Sequence, residues 1–134
     1  MSELKEKCGI VGIYGKDLPI SRLAFFALFA LQHRGQEASG ITTNDGKKFR
    51  THKGAGLVSQ VYTEKTIKKL TGYIAIGHNR YSTSKGGALH HAQPVVNKDA
   101  SFALAHNGNL PSIKALENFL SSKKILKKDR NDSE

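Results

Sequence analysis

Cys8-Gly9-Ile10-Val11-Gly12-Ile13-Tyr14 is an apolar, β-branched run punctuated by glycine, and it reads as a buried strand. At its head stands the single cysteine of a 134-residue chain. A cysteine at a freshly cut N-terminus carries nucleophile and base in one residue. Its thiol attacks, and its own α-amino group takes the proton. That amine titrates near about 7.7–8.0, so part of it is neutral base at pH 7, and an ordinary thiol, only a few per cent ionised there, gains from such a base. While Met1–Lys7 is attached the Cys8 nitrogen is an amide and serves no such purpose. The catalytic reading therefore requires residues 1–7 to be a leader, removed by cutting the Lys7–Cys8 bond, with residues 8–134 as one working domain. The other reading of a lone cysteine is a small buried hydrophobe whose reactivity depends on its surroundings.

Bulk composition bounds the possibilities. A chain of this length is large enough for a real core, and 38% hydrophobic with 24% charged residues lies near globular norms. One cysteine excludes an internal disulfide framework and fits a reducing compartment. Met1–Lys7 has no apolar segment of the secretory kind. The longest apolar run, Leu23 to Leu31, is too short to span a bilayer. A cytoplasmic protein without membrane partners is expected. The net charge of +10 raises the question of an acidic partner, but the lysines are scattered, and the densest group is Lys123-Lys124-Ile125-Leu126-Lys127-Lys128. With no arginine-rich helix or aromatic RNA-binding signature, the charge reads as a solvated surface and no nucleic acid is expected.

Outward from the first strand, Lys16-Asp17-Leu18-Pro19 reads as a turn. Ile20 to His33 reads as a helix with Ser21 at its N-cap and Gly35 past its end. Leu23, Phe25, Phe26, Leu28, Phe29 and Leu31 occupy most of its circumference, which predicts burial on nearly all sides. Asn44-Asp45-Gly46, between Ile41-Thr42-Thr43 and Lys48-Phe49-Arg50-Thr51, carries hairpin chemistry. Gly56 to Tyr62 is read as a strand and Thr63 to Leu70 as a short helix capped by Thr63. Tyr73 to His78 and Ser101 to His106 are read as strands. Pro111 to Leu120 is an amphipathic helix presenting Ile113, Leu116, Phe119 and Leu120, with proline suited to its first turn. Lys53-Gly54-Ala55-Gly56 and Lys85-Gly86-Gly87 lack the spacing of phosphate-binding loops and read as backbone turns. Strands mixed with a few helices and a hairpin indicate an α+β layered domain.

Four segments set polar and charged residues at the ends of apolar elements, where sites are usually built. They are Cys8-Gly9-Ile10-Val11-Gly12, Leu31-Gln32-His33-Arg34-Gly35-Gln36-Glu37-Ala38-Ser39-Gly40-Ile41, Gly77-His78-Asn79-Arg80-Tyr81-Ser82-Thr83 and Ala105-His106-Asn107-Gly108-Asn109-Leu110. In this order, followed by Asn131-Asp132-Ser133-Glu134, they resemble the glutaminase domain of the amidophosphoribosyltransferase family, a class II glutamine amidotransferase of the N-terminal-nucleophile hydrolases. The resemblance runs from Cys8 to Glu134. The cysteine motif is shared with other amidotransferases of this class; the segment from Leu31 to Glu37 is more specific.

That resemblance implies a four-layer αββα sandwich of antiparallel sheets, incomplete at its C-terminus in this chain. It implies hydrolysis of glutamine to glutamate and ammonia, the ammonia passing to phosphoribosyl diphosphate to give phosphoribosylamine in the first step of purine biosynthesis. By the same resemblance Cys8 is the nucleophile, and Asn107 and Gly108 supply the oxyanion donors. Arg80 clamps the glutamine α-carboxylate, and Asp132 accepts from its α-ammonium. Tyr81, Ser82 and Thr83 belong to a loop that closes over the substrate. No cofactor or metal is expected in this segment. Mg2+ would belong only to a phosphoribosyltransferase domain that this chain lacks, as would the phosphoribosyl diphosphate site, and a homo-oligomer is expected of the full-length protein.

Read residue by residue, plainer roles stay open. Arg80 fits a surface ion pair, Asn107-Gly108 an ordinary turn, and Asp132 one acid near a basic tail. His33, His78 and His106 read as structural hydrogen-bonders. His90-His91 point apart in extended backbone, with no third metal ligand evident. Two other functions compete. One is the glutaminase domain of a glucosamine-phosphate synthase, disfavoured by Gln36-Glu37 and by Tyr81. The other is an inactive fragment or a basic interaction module.

Overall fold

The computed structural model describes residues 8–81, 89–97, 99–108 and 113–125. Strand β1 (Gly9–Tyr14) leads into helix α1 (Ile20–Ala30) and a 3-10 turn over Gln32–Arg34; β2 (Ala38–Asn44), β3 (Phe49–Ala55), the one-turn helix α2 (Val58–Val61), α3 (Glu64–Lys69) and β4 (Ile74–Arg80) follow. Beyond them lie the two-residue strands β5 (Val95–Val96) and β6 (Ala103–Leu104) and helix α4 (Ile113–Ser122). The four long strands form an antiparallel sheet in the order β1-β4-β2-β3, and β5 pairs with β6 in a second, smaller sheet. The α+β reading from sequence holds.

Strand alternation divides the main sheet into two faces. On β4, Ala75, Gly77 and Asn79 are buried toward α1, because Leu28 lies over Gly77 and the Asn79 side chain donates to the Leu28 carbonyl at 2.7 Å. That bond satisfies one of the carbonyls that every helix end leaves unpaired, and it fixes the end of α1 to the strand that carries Arg80. Ile41 from β2 and Val11 from β1 join Ile20, Ala24, Leu28, Val58, Val61, Tyr62 and Ile67 in one apolar core between sheet and helices. Complete burial of a side chain such as Leu28 contributes about 1.5–3 kcal/mol. The other face of the sheet is turned toward the second sheet: the Lys53 ammonium donates to the Ala92 carbonyl at 2.8 Å, and the ring of His78 reaches the His106 carbonyl at 3.2 Å.

Several local expectations are corrected. Helix α1 is buried on one face only. Ile20, Ala24 and Leu28 form that face, while Leu23, Phe26 and Phe29 are exposed. Ser21 lies inside the helix, whose N-cap position is Pro19 without a side-chain cap bond, and the helix ends at Ala30 because the chain tightens into the 3-10 turn. The Gly56–Tyr62 strand is replaced by α2. Val58, Val61 and Tyr62 are buried at helical spacing, and the Val58 N–H donates to the Gln32 side chain at 2.7 Å. Gly54 belongs to β3, where it faces Val61, so it is not part of a turn. The Ser101–His106 strand shrinks to Ala103–Leu104, and the rings of His90 and His91 pack edge to face at 4.9 Å, not apart.

Other expectations stand. Thr63 caps α3 through its hydroxyl, which accepts from the Thr66 N–H. The hairpin turns between Asn44 and Phe49, its tip bound by Asn44 and Asp45 side chains and opened by Gly46 at φ 87°, a backbone region that favours glycine.

Candidate active site

β4 ends at Arg80 on the same sheet edge from which β1 begins, since Gly9 pairs with Asn79 in antiparallel register. Continuing that ladder by one step sets Cys8 beside Arg80. The Cys8 sulfur lies 4.0 Å from the Tyr81 carbonyl oxygen, and Cys8 is half-buried. Its backbone carbonyl is held from two sides. Arg34 Nε donates to it at 3.0 Å, and the side-chain amide of Asn107 donates to it at 3.2 Å. Residues 99 positions apart in sequence thus meet at the cysteine.

The segment after α1 shapes the floor. Gly35 has an ordinary extended conformation, yet a Cβ there would lie 2.7 Å from the Asn79 oxygen and from the Arg80 carbonyl carbon. Only glycine permits this approach, and it lets the Glu37 N–H donate to the Arg80 carbonyl at 3.1 Å. Arg80 in turn pairs through Nε with the Glu37 carboxylate at 3.2 Å and donates through a terminal nitrogen to the His91 carbonyl at 3.2 Å. Both members of this pair are largely buried. Arg80 therefore departs from the surface ion pair that its isolated sequence context suggested.

Cys8, Arg80, Tyr81 and Asn107 are brought to one end of the main sheet, and Gly108 follows Asn107 in an exposed bend. Ser82, Thr83 and Asp132 lie outside the described residues, as do Met1–Lys7, Gly86-Gly87 and Pro111. Two contributors were quoted in the sequence without a role. Arg34 touches the cysteine carbonyl and Glu37 braces Arg80. Their only sequence signal was membership of the Leu31–Glu37 segment. An apolar hollow of ≈ 250 Å³ lined by Thr42, Thr43, Asn44, Phe49, Ile74, Ile76 and Ala103 lies toward the opposite end of β4. It contains no ionisable side chain and so offers no acid–base chemistry. Among the described residues no cluster of three or more His, Cys, Asp or Glu side chains is placed to hold a metal ion.

The amidophosphoribosyltransferase of Methanocaldococcus jannaschii is 45% identical over 130 residues, covering 95% of this chain and 28% of the relative. That of Bacillus subtilis is 39% identical over 134 residues, covering 98% of this chain and 28% of its own length. The chain belongs to the amidophosphoribosyltransferase family. Two solved structures agree in fold. One, described as the allosteric regulatory enzyme of purine biosynthesis, matches with a TM-score of 0.84 and 36% identity over 92% of this chain and 27% of that one. The other, the B. subtilis glutamine phosphoribosylpyrophosphate amidotransferase complexed with ADP and GMP, matches with a TM-score of 0.78 and 35% identity over 92% and 27%. No protein-family model matches. The chain thus spans little more than a quarter of these two amidophosphoribosyltransferases, and its helix-on-antiparallel-sheet architecture is that of their N-terminal-nucleophile hydrolase fold.

Proposed function

We propose that this chain is the glutaminase part of an amidophosphoribosyltransferase, hydrolysing glutamine and supplying ammonia for phosphoribosylamine formation from phosphoribosyl diphosphate elsewhere in the full-length protein. The observation that carries the reading is the convergence of Asn107 and Arg34 on the carbonyl of Cys8, beside Arg80. In the proposed reaction the Cys8 thiolate adds to the side-chain carbonyl of glutamine. Its α-amino group, released by cleavage after Lys7, takes the thiol proton and passes it to the departing ammonia. The C–N bond breaks, a thioester forms, and water then cleaves it to glutamate. Asn107 spends one amide hydrogen on the Cys8 carbonyl and has a second for the oxyanion, with the Gly108 N–H as its partner donor. The planar fork of Arg80, steadied by Glu37, suits the substrate α-carboxylate.

Tyr81, Ser82 and Thr83 are assigned to the loop that closes over glutamine, and Asp132 to the substrate ammonium. Self-association of the full-length protein belongs to the same reading.

The test is an electrophilic glutamine analogue followed by intact-mass measurement. Loss of residues 1–7 together with a single adduct, absent in Cys8→Ala, is the expected result. A full-length, unlabelled mass would refute the mechanism for this chain.

A further inference from the structure

The backbone of His106, the residue before Asn107, is gripped at both of its polar groups. Its N–H donates to the Gln93 side-chain oxygen at 2.6 Å, and its carbonyl lies 3.2 Å from His78 Nε2. Both gripping side chains are buried, His78 to 1% and Gln93 to 7% exposure. A carbonyl only accepts, so the His78 proton must sit on Nε2. The opposite nitrogen, Nδ1, is buried with no hydrogen-bond partner among the described residues. A buried polar atom without a partner costs stability, so a cost is borne at a residue whose one hydrogen bond goes to this loop.

The grip is itself anchored to the main sheet. His78 lies opposite Gly40 in the register of β2 and β4, and the Gln93 main chain lies so close over Gly40 that a Cβ there would sit 2.0 Å from the Gln93 oxygen. Lys53, from the neighbouring strand, holds the Ala92 carbonyl. On the far side of the grip, Gly108 packs against the His106 ring, where a Cβ would fall 2.7 Å from its Nε2.

We propose that His78 and Gln93 are positioning residues, which lock the His106 backbone and so fix where the Asn107 amide and the Gly108 N–H point. They touch no reacting atom. Their catalytic consequence rests on the glutaminase reading, because it is the oxyanion donors that they aim. Their structural consequence does not. A misplacement of about 1 Å at such donors costs about 10²-fold in rate.

Two readouts on the same chain separate the grip from the activity. The first is the backbone amide order of Asn107 and Gly108 from 15N relaxation. The second is glutaminase kinetics. Glutamine presents an amide N–H much as histidine presents Nε2–H, so His78→Gln preserves the donor, and His78→Leu removes it. Gln93→Met removes the acceptor and provides a second route should His78→Leu fail to fold.

The expectation is that His78→Leu or Gln93→Met lowers the order parameters of Asn107 and Gly108 from about 0.85 toward about 0.6, with Val11 and Ile41 unchanged. The value of kcat falls about 10²-fold while KM for glutamine moves little, and His78→Gln recovers most of both. Unchanged order at residues 107 and 108 in the donor-less and acceptor-less variants would overturn the proposal, as would a His78→Gln protein as impaired as His78→Leu. If the parent chain has no glutaminase activity but the order parameters respond as stated, the grip stands and the glutaminase reading falls.

Discussion

At the scale of single residues, the proposed reaction separates groups that bind from groups that stabilise charge. Asn107 is held at the site by the hydrogen bond from its amide to the Cys8 carbonyl, and in the proposed reaction its second amide hydrogen serves the oxyanion. Asn107→Ala is expected to cost about 2.7–4 kcal/mol of transition-state stabilisation, seen as a fall of about 10²–10³ in kcat with KM nearly constant. A rise in KM at constant kcat would assign Asn107 to substrate binding instead. Arg80 is expected to behave the opposite way. Arg80→Lys keeps the charge but loses the planar fork and the second hydrogen-bonded arm that now reaches His91. KM for glutamine should then rise by about tenfold or more, equivalent to about 1.4 kcal/mol, with a smaller effect on kcat. Steady-state kinetics over a range of glutamine concentrations check both.

At the scale of elements, the contact between α1 and β4 is the joint on which the site depends. Leu28 fills the space over Gly77, where an added Cβ would lie 2.9 Å from the leucine Cδ1 and 3.1 Å from its Cγ. Gly77→Ala should therefore overpack the joint and destabilise the protein by about 1–3 kcal/mol, visible as a lower urea midpoint with an unchanged slope. This joint also shows what the sequence could convey. The strand from Gly9 to Tyr14, the hairpin at Asn44-Asp45-Gly46 and the Thr63 cap rest on local chemistry: β-branching, a turn glycine, a hydroxyl three residues before the N–H it accepts from. All three elements are found, but the Gly9–Tyr14 strand is not the buried strand its apolar run suggested: it lies at the sheet edge with Ile10 and Tyr14 exposed. What failed was tertiary. Leu23, Phe26 and Phe29 are as apolar as Leu28, and nothing in helical periodicity says which face the sheet covers. Val58-Ser59-Gln60-Val61-Tyr62 fits a strand by composition and becomes a helical turn because Gln32, far away in sequence, accepts from its first N–H. The site was legible as a set of motifs, but the pairings Arg34–Cys8, Glu37–Arg80 and His78–His106 join different segments, and no spacing rule reports them.

At the scale of the whole molecule, pH acts through the contact between β4 and the segment that follows β6. The His78 imidazole is pushed down from 6.5 to about 4, chiefly by burial, with the charges of Arg80 and His106 adding to the effect and the bond to the His106 carbonyl opposing it. The unfolded chain therefore takes up this proton at a higher pH than the folded one. Its contribution to stability is complete above the unfolded value and is lost as pH falls from 6.5 toward 4. Between pH 7 and pH 5 the loss is about 2 kcal/mol, measurable as a drop in the free energy of urea unfolding. His78→Gln, which does not titrate, should flatten that part of the profile; an unaltered slope would assign the effect to other groups. The exposed row of Leu23, Phe26 and Phe29 on α1 acts at the same scale. Replacing Phe26 and Phe29 by lysine is expected to weaken binding of a hydrophobic dye while changing the free energy of urea unfolding by no more than about 0.5 kcal/mol.

Finally, Arg34 and Asn107 both grasp the main-chain oxygen of residue 8, not its sulfur. The short hydrogen bonds that hold residue 8 are thus made to its backbone, while its sulfur makes one long contact, to the Tyr81 carbonyl. On the proposed mechanism, an alanine at that position is expected to give a disarmed decoy, with the backbone cradle intact and the warhead gone. Such a decoy should retain uncleaved glutamine long enough to be seen by calorimetry or diffraction.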